Sequence, residues 1–308
     1  MVDVAKIAHR EHAKERGKDD RGHRINGNVG GPLIAELAAM GVPTRALVHT
    51  PEKAGVVEQE GVEVIIGDFG APETLDAALE GAERAFLLTP PDPRQPEWEK
   101  NFVEAAERTG VRHVVKLSAQ GADADSPMRI GRIHSECERL LKESDMAWTF
   151  LRPSIFMQTT LAYAGQVAAE GRFYAPLAEA KTSMIDARDV AAVAARALTE
   201  AGHEGQVHEL TGPEAISHRD IAETLSAVLG RPVEHVEVSM EDAGGSMVGM
   251  GMPEWLAEAV AELFEVRQEG YLAGVTNTVA GITGREPRSY EEFARDHKGA
   301  FSGAPTGS

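Results

Sequence analysis

The first residues suited to chemistry are glycines that open a helix. The segment Gly27-Asn28-Val29-Gly30 precedes residues 32–40, whose apolar side chains recur with helical spacing. Free backbone N–H groups and the helix dipole make such a helix start a site for phosphate or another anion. Residues 42–49 then read as a buried strand. A glycine turn, a helix and a strand in this order predict half of a dinucleotide-binding βαβ unit; the simpler interpretation is a glycine turn that only caps the helix.

The other half of that unit is missing from its usual place. An apolar strand and a first glycine are expected directly before Gly27. Instead, residues 19–23 read Asp-Asp-Arg-Gly-His, and Arg24 stands at the glycine position. Buried charges without partners in a central strand would cost several kcal/mol per ion.

A reading-frame error would explain this segment. With suitable codons for residues 19–26, one extra base before the Gly27 codon changes the translation there to Met-Ile-Val-Val-Thr-Gly-Ser-Thr. That translation supplies an apolar strand and completes a G-x-x-G-x-x-G loop. We therefore hypothesise that residues 1–26 are out-of-frame or upstream translation. The alternative is a genuine N-terminal helix over residues 4–18, followed by a degenerate strand.

Strand and helix patterns alternate along residues 27–157, with short connections between them. This alternation predicts an α/β fold with a doubly wound parallel sheet, a Rossmann-like core whose ligand cleft lies at the carboxyl ends of the strands. Strands are predicted at residues 44–48, 62–66, 84–88, 113–117 and 148–152. Helices are predicted at residues 32–40, 51–60, 71–79, 98–109 and 127–144.

The pattern loosens beyond residue 157. Residues 158–301 predict a smaller C-terminal α/β lobe, interleaved with the core, that forms the far wall of the cleft. Within this lobe the Gly- and Met-rich residues 244–252 predict a mobile loop. Residues 302–308 predict a disordered tail.

Composition limits the functions that the chain can have. The 308 residues carry a net charge of −18, and an acidic surface repels nucleic-acid backbones. The single cysteine, Cys137, excludes an internal disulfide, fits a reducing compartment and is interpreted as a packing residue. No apolar run is long enough to span a membrane. We expect a cytoplasmic protein with a small-molecule substrate and no nucleic-acid or membrane partner. No metal is expected either, because the histidines at 9, 12 and 23 fall in the anomalous segment. A homodimer or a protein partner is left open.

Several segments together match one family by their order and spacing, although no single segment is diagnostic. They are Gly27-Asn28-Val29-Gly30, residues 45–53, Gly67-Asp68, Leu117-Ser118, His134-x-x-x-Glu138, Leu151-Arg152-Pro153, Phe156-Met157, Asp186-x-Arg188-Asp189-Val190 and Leu210-Thr211-Gly212-Pro213. On these residues the chain resembles NmrA-like members of the atypical short-chain dehydrogenase/reductase group. Within that group it is most similar in pattern to bacterial NAD(P)H-dependent quinone and azo reductase-like proteins, over residues 27 to about 301.

The resemblance implies a set of cofactor contacts. The glycine turn would cover the pyrophosphate, residues 68–69 would lie beside the adenine, residues 88–90 along the ribose and residues 117–118 near the nicotinamide. The implied residues are Gly27, Asn28, Val29, Gly30, Asp68, Phe69, Leu88, Thr89, Pro90, Leu117 and Ser118. Asp68 fits a helix cap or a loop position equally well.

The end of the predicted strand at 44–48 bears on the choice of cofactor. An acid there would bind the ribose 2′-hydroxyl and favour NAD, whereas a basic residue would accommodate the 2′-phosphate of NADP. No acid lies between Thr44 and Pro51, and the basic residues are His49 and Lys53. We expect NADP(H) to be favoured over NAD(H), although neutral His49 is a weaker phosphate ligand than arginine, and Lys53 equally fits a solvated helix position.

The chemistry implied by the resemblance is altered in this chain. None of its four tyrosines has a lysine four residues later, so the usual Tyr-x-x-x-Lys acid–base pair is missing. His134 and Glu138 stand in the corresponding place, on one face of the predicted helix. One interpretation is a surface ion pair, or a pair that orients the helix. The other is a catalytic pair in which Glu138 orients His134 beside the nicotinamide. Ser118 is a candidate catalytic hydroxyl, or a strand-end hydrogen-bonding group.

The missing tyrosine narrows the expected reaction. Reducing a simple ketone creates a strongly basic alkoxide that requires a positioned acid, whereas a quinone yields a much less basic hydroquinone anion. We therefore expect hydride transfer from NAD(P)H to a quinone-like or conjugated acceptor in a pocket that includes Phe156 and Met157, with Tyr163 and Trp255, unless these residues are core. The alternative function is a non-catalytic redox sensor that binds the dinucleotide and regulates a protein partner. Arg188 and Asp189 are interpreted as a structural ion-pair or cap turn that opens a helix.

Overall fold

Parallel strands build both sheets of this protein. A computed structural model describes residues 2–6, 28–50 and 62–303, and describes residues 2–6 by their backbone alone. In chain order the strands are β1 (Val2–Lys6), β2 (Thr44–Val48), β3 (Val62–Ile66), β4 (Arg84–Leu88), β5 (His113–Leu117), β6 (Ala147–Pro153), β7 (Arg172–Ala175), β8 (Gln206–Leu210) and β9 (Glu234–Glu237). Seven of them form one sheet in the order β3-β2-β1-β4-β5-β6-β8, and β7 pairs with β9. The strand order is that of a doubly wound sheet, which confirms the predicted Rossmann-like α/β fold.

The parallel registers bring three strand ends to one edge of the sheet. β4 pairs with β5, and β5 with β6, each in parallel. The carboxyl ends at Leu88, Leu117 and Pro153 therefore lie side by side. This edge adjoins the point where the strand order reverses between β1 and β4, which is where ligands bind in such sheets.

The central strand differs in position from the expectation. β1 lies between β2 and β4, with Val2 opposite both Thr44 and Arg84. The expected position was directly before the glycines, and the alternative expectation of a helix over residues 4–18 is wrong for residues 4–6. The segment Val-Asp-Val-Ala-Lys carries two β-branched residues, which favour strands, whereas residues 19–23 carry none. Residues 7–27 lie outside the described part of the chain, so the reading-frame hypothesis stays a prediction.

Helices cover both faces of the large sheet and also build much of the smaller lobe. They are α1 (Gly30–Ala39), α2 (Leu75–Leu79), α3 (Gln95–Thr109), α4 (Arg129–Lys142), α5 (Ala164–Glu170), α6 (Ala187–Thr199), α7 (His218–Leu229), α8 (Met240–Gly249), α9 (Glu254–Gln268), α10 (Thr278–Thr283), α11 (Tyr290–Asp296) and α12 (Lys298–Ser302). Short 3-10 turns lie at Pro72–Thr74 and Met157–Tyr163.

Each face has its own hydrophobic core. Val48 of β2 packs with α1 and α6 on one face, while its neighbour Leu47 packs with α2 and α3 on the other. Both side chains are buried, which explains why these strands are continuously apolar rather than alternating. The helix start at residue 187 is capped by Asp186, whose carboxylate accepts a hydrogen bond from the N–H of Arg188 and pairs with its guanidinium. The structural interpretation of this motif is confirmed.

A second, smaller lobe surrounds the β7–β9 pair. Its core joins Phe173 of β7 to residues of α5, α7, α11 and α12, with Leu225, Phe293 and Phe301 fully buried. Meanwhile β8 and α6, from the same half of the sequence, belong to the large sheet and its cover. The C-terminal half of the chain thus contributes both to the large sheet with its covering helices and to the smaller lobe.

The prediction of a mobile loop at residues 244–252 is wrong, because most of that stretch belongs to α8. Ser239 caps this helix, since its Oγ accepts a hydrogen bond from the Asp242 N–H at 3.0 Å. Gly244 and Gly245 lie inside the helix, at positions where a Cβ would meet nothing within 4 Å. The cap and the buried Ala243 offset a glycine penalty of about 1 kcal/mol per residue.

Other predicted segments fall partly outside the described chain. The predicted helix at 51–60 lies outside it, as do residues 304–308 of the predicted tail. Ser302, the first residue of the predicted tail, is the last residue of α12. Within the described ranges, the helices are too short or too polar to cross a lipid bilayer.

Candidate active site

A cleft of about 420 Å³ opens at the carboxyl edge of β4, β5 and β6. Its near wall is formed by the start of α1, the strand ends and α4, and its far wall is formed by Leu256, Ala259, Val260 and Leu263 of α9. Of the residues predicted to contact cofactor or substrate, it is lined by Asn28, Val29, Leu88, Thr89, Pro90, Leu117, Ser118, His134 and Phe156. The structure therefore brings most of these residues to one place.

The start of α1 reaches this cleft through Asn28 and Val29. The first intrahelical bond runs from the Leu33 N–H to the Val29 carbonyl at 3.0 Å. No side chain of the described residues caps Val29. The N–H groups of Gly30 and Gly31 have no intrahelical acceptor among the described residues, and such groups suit an anion. Gly27 lies outside the described residues.

A second polar atom also fits a ligand in this cleft. Gln120 lines it, and its Oε1 is buried with no hydrogen-bond partner in the described part of the chain. Buried polar atoms are normally paired. A helix start suited to anions and an unpaired acceptor fit a dinucleotide, which carries a diphosphate between its two nucleosides and an amide on the nicotinamide.

The ends of β2 and β3 meet at the place expected for the adenosine half of such a ligand. His49 Nδ1 lies 3.2 Å from Asp68 Oδ2, and both side chains are partly exposed. Asp68 Oδ1 accepts a hydrogen bond from the Gly70 N–H at 2.7 Å, so the loop role foreseen for it is present. Lys53 lies outside the described residues.

Phe69 stands differently from the expectation. Its side chain is buried and packs edge-on against Phe102, with ring centroids 6.0 Å apart. The expected contact with adenine is therefore not made by this ring, which belongs to the core beside α3. The reason is that the residue follows a strand end and turns inward under Trp98 and Phe102.

Glu138 does not orient His134, and this part of the predicted pair is wrong. The carboxylate is buried, and it accepts hydrogen bonds from Arg152 Nε at 2.8 Å, Arg152 Nη2 at 2.7 Å and Ser118 Oγ at 2.7 Å. The bidentate Arg152 contact raises the pKa of that guanidinium. Ser118 is therefore hydrogen-bonded at the strand end, as its structural interpretation predicted. Sequence spacing on α4 was misleading because β6 supplies the stronger partner.

His134 instead contacts a lysine that the sequence analysis did not single out. Lys116 Nζ lies 3.4 Å from His134 Nδ1 and 2.7 Å from Glu99 Oε1. Lys116 and Glu99 are both buried. The available signal was a lysine inside the otherwise apolar strand at 113–117, since a strand buried on both faces can hold a lysine only with a partner.

The same cluster reaches the other wall of the cleft. Glu99 Oε1 also accepts hydrogen bonds from Thr89 Oγ1 at 2.6 Å and Gln95 Nε2 at 3.0 Å. Thr89 and His134, which both line the cleft, are thereby joined through Glu99 and Lys116. The cluster positions two faces of the cleft relative to each other.

The state of His134 follows from these neighbours. Burial lowers the pKa of its imidazole well below the usual value, and the positive charges of Lys116 and Arg152 lower it further. The ring is therefore neutral near pH 7. Because the Lys116 ammonium has only protons to donate, Nδ1 accepts, and the ring proton is carried by Nε2.

Met157 and Cys137 both belong to the core. Met157 is buried among lobe residues and does not line the cleft, so its assignment to the substrate pocket is wrong. It is the first residue of the 3-10 turn Met157–Tyr163, and its side chain packs in the core of the smaller lobe. Cys137 is fully buried, and burial raises the pKa of its thiol, which supports its interpretation as a packing residue.

A glycine-rich helix start at the switch point of a doubly wound sheet is the arrangement of a dinucleotide-binding α/β protein. The chain belongs to the NAD(P)H-binding family, whose model matches residues 25–201.

Relatives and solved structures agree with that assignment. The chain is 45% identical over 278 residues to an NAD(P)H azoreductase of Xenophilus azovorans, covering 90% of this chain and 97% of that protein. It is 30% identical over 275 residues to quinone oxidoreductase 2 of Escherichia coli, covering 87% and 96%. A crystal structure of the NADPH-dependent quinone oxidoreductase of Escherichia coli with NADPH is similar, with a TM-score of 0.80 and 26% identity over 97% of this chain and 99% of that one.

Proposed function

We propose that the protein is an NADPH-dependent oxidoreductase that reduces quinone-like or otherwise conjugated acceptors. The observation that carries the proposal is a cleft that joins an anion-binding helix start to an apolar wall and is lined by no tyrosine among the described residues. An apolar, flat acceptor suits this wall, and the names of the azo and quinone reductases among the relatives support that class of acceptor. The single, buried cysteine fits a cytoplasmic location.

The residues of the chain divide the work in this proposal. The N–H groups of Gly30 and Gly31 hold the diphosphate, and the strand ends at Leu88 and Leu117 shape the cavity for the nicotinamide. When bound, the reduced nicotinamide supplies the hydride. The α9 wall excludes water from the acceptor, because its lining residues are apolar.

His134 is the candidate group that touches the acceptor. Its Nε2–H donates a hydrogen bond to the acceptor oxygen or nitrogen as negative charge develops there, and Lys116 holds the tautomer that makes this possible. The neutral ring donates a hydrogen bond but keeps its proton, so the proton that neutralises the reduced acceptor comes from water at the cleft mouth. Ser118 and Glu138 act as positioning residues, since their polar atoms already satisfy each other and Arg152.

The preference for NADPH over NADH rests on the end of β2. His49 provides a basic group there, and no acid lies between Thr44 and Pro51. The neighbouring carboxylate of Asp68 lies against the His49 ring and opposes a 2′-phosphate, so the basic side chain has to outweigh it.

Steady-state oxidation of NADPH with a simple naphthoquinone tests the proposal. Turnover that saturates with both substrates supports it. Tight binding of NADPH in a calorimeter without turnover of any quinone or azo acceptor would instead support the redox sensor. Failure to bind either dinucleotide would contradict both functions.

A further inference from the structure

A second cavity, of about 500 Å³, lies against the first. The two cavities share Ile155, Thr159, Val260 and Leu263 as lining residues, so they adjoin along these four side chains. The second cavity is bounded by α8, α9, β7 and the start of α7, all in the C-terminal half of the chain. It lies on the far side of the cleft from the helix start that holds the diphosphate.

Most of this second wall is apolar and adaptable. Four methionines contribute to it, together with the rings of Tyr163 and Phe264. The methionines are Met184, Met247, Met250 and Met252. Flexible thioether side chains adapt to aromatic ligands of different shape.

One arginine stands in this apolar wall without a carboxylate. Arg267, in the last turn of α9, is only 6% exposed, and its Nε donates to Thr182 Oγ1 at 2.9 Å. No acidic side chain of the described residues forms an ion pair with it. The guanidinium stays charged, and a buried charge is normally paired. The two terminal nitrogens are left for a partner that is not part of the described chain.

The other polar groups around this cavity do not supply that partner. Burial and the charge of Arg267 together lower the pKa of His218 to about 4, so this ring is neutral; its Nδ1 donates to the Pro176 carbonyl at 2.8 Å. His235 binds the Ala175 carbonyl through Nε2. The carboxylate of Asp242 is exposed and accepts a hydrogen bond from Ser239 Oγ at 2.7 Å.

We propose that the second cavity binds the anionic group, a carboxylate or a sulfonate, of an aromatic acceptor whose reducible part lies in the cleft. This inference rests on the proposed function and specifies its substrate class. The two Nη atoms of Arg267 form a fork that matches two oxygens of such a group, while Thr182 fixes the plane of the guanidinium. The apolar wall receives the ring that carries the anion.

The first experiment compares two acceptors that differ by one charge. NADPH oxidation is measured with a naphthoquinone and with the same naphthoquinone bearing a ring sulfonate. Arg267→Met is expected to raise KM for the sulfonate about tenfold or more and to leave KM and kcat for the neutral quinone within about twofold. Arg267→Lys should retain part of the preference, and Arg219→Met, at an exposed ion pair with Glu179, should change neither substrate. Equal losses for both acceptors, or no loss for either, would overturn the inference.

A second experiment separates this inference from the proposed function. Binding of naphthalene sulfonate and of its neutral sulfonamide is measured by calorimetry, without cofactor or turnover. Selective loss of sulfonate binding in Arg267→Met supports the anion site even if no quinone is reduced. Equal binding of the two probes by the unaltered protein overturns the site even if quinones are reduced.

Thermal unfolding provides a control for folding. A structural arginine would make Arg267→Met less stable, whereas removing an unpaired buried charge leaves the melting temperature equal or higher in the absence of ligand. A clear drop in melting temperature, together with loss of both probes, would show that Arg267 supports the fold and would contradict the proposal.

Discussion

The ammonium of Lys116 lies 2.7 Å from a carboxylate oxygen of Glu99, and neither side chain has appreciable contact with solvent. The pair links β5 to α3, and it holds His134 on one side and Thr89 on the other. It is therefore both a structural tie and the support of the candidate active site.

Removing one partner of this pair should strongly destabilise the fold. Lys116→Met leaves the Glu99 charge buried and unpaired, and we expect a loss of about 3–5 kcal/mol in the free energy of unfolding. Urea unfolding measures it. The matched control is Lys100→Met, at the exposed pair with Glu104, which should change little. Adding Glu99→Met to Lys116→Met should recover part of the loss; a Lys116→Met loss as small as the control would contradict the account.

Substitution of His134 should affect turnover more than binding. We expect His134→Leu to lower kcat about 100-fold, because the positioned donor at the acceptor is lost, with the Kd for NADPH nearly unchanged. Stopped-flow and calorimetric measurements give the two quantities. Ser118→Ala is the comparison, because its hydroxyl already binds Glu138, and it should lower kcat by about fivefold at most. The reverse ranking would make Ser118 the catalytic group.

The cofactor preference should respond to His49. Placing a carboxylate there in His49→Asp should raise the KM for NADPH about tenfold or more and leave that for NADH within about twofold. His49→Arg should lower the KM for NADPH. Steady-state kinetics with both cofactors checks this. An unchanged ratio in both variants would remove His49 from the cofactor site.

Stability should fall between about pH 6.5 and pH 4 partly because of His113. Burial and, to a smaller degree, the charge of Arg84 lower the pKa of this residue to about 4. Nε2 donates to Thr149 Oγ1, whose own proton is used on the His203 carbonyl, so a proton added at Nδ1 would find no acceptor among the described residues.

Since the unfolded chain takes up this proton first, the contribution is present above the unfolded pKa and is lost as the pH falls towards the folded one. The linked loss is about 3 kcal/mol. Unfolding free energies of the unaltered protein and His113→Gln, measured from pH 7 to pH 4, should converge by about that amount. Parallel curves would show that another group dominates.

The reading-frame hypothesis predicts that the N-terminal segment decides cofactor affinity. A chain in which Met-Ile-Val-Val-Thr-Gly-Ser-Thr replaces residues 1–26 should be stabilised by NADPH by about 2.7 kcal/mol at one hundred times its Kd. The chain with residues 1–26 should gain less at the same concentration. Equal gains, or a DNA sequence with no extra base before codon 27, would exclude the hypothesis.

Local patterns predicted the elements that lie within one run of sequence. The strands at 44–48, 62–66, 84–88 and 113–117 have the predicted bounds, because each is an apolar run of strand length between turn signals. The prediction of a loop at 244–252 is wrong because the Ser239 cap stabilises a helix there despite the glycine content.

Polar pairs were harder to predict because their partners come from other elements. Glu138 pairs with Arg152 of β6, 14 residues away, in preference to His134 on its own helix face. Lys116 and Glu99 are 17 residues apart and meet only when α3 packs on the sheet. The apolar pattern around Met157 does not distinguish a pocket position from a core position, because it does not indicate the 3-10 turn that begins at this residue.

The glycines of α8 have a consequence for ligand exchange at the second cavity. This helix carries Gly244, Gly245 and Gly249, each facing open space, and it closes the side of the cavity that Met247 lines. A segment of such weak intrinsic helicity opens more readily than the alanine-rich α6. Ligand exchange would then be gated by unwinding of this one short segment, and its amides would exchange with deuterium ahead of those on the sheet.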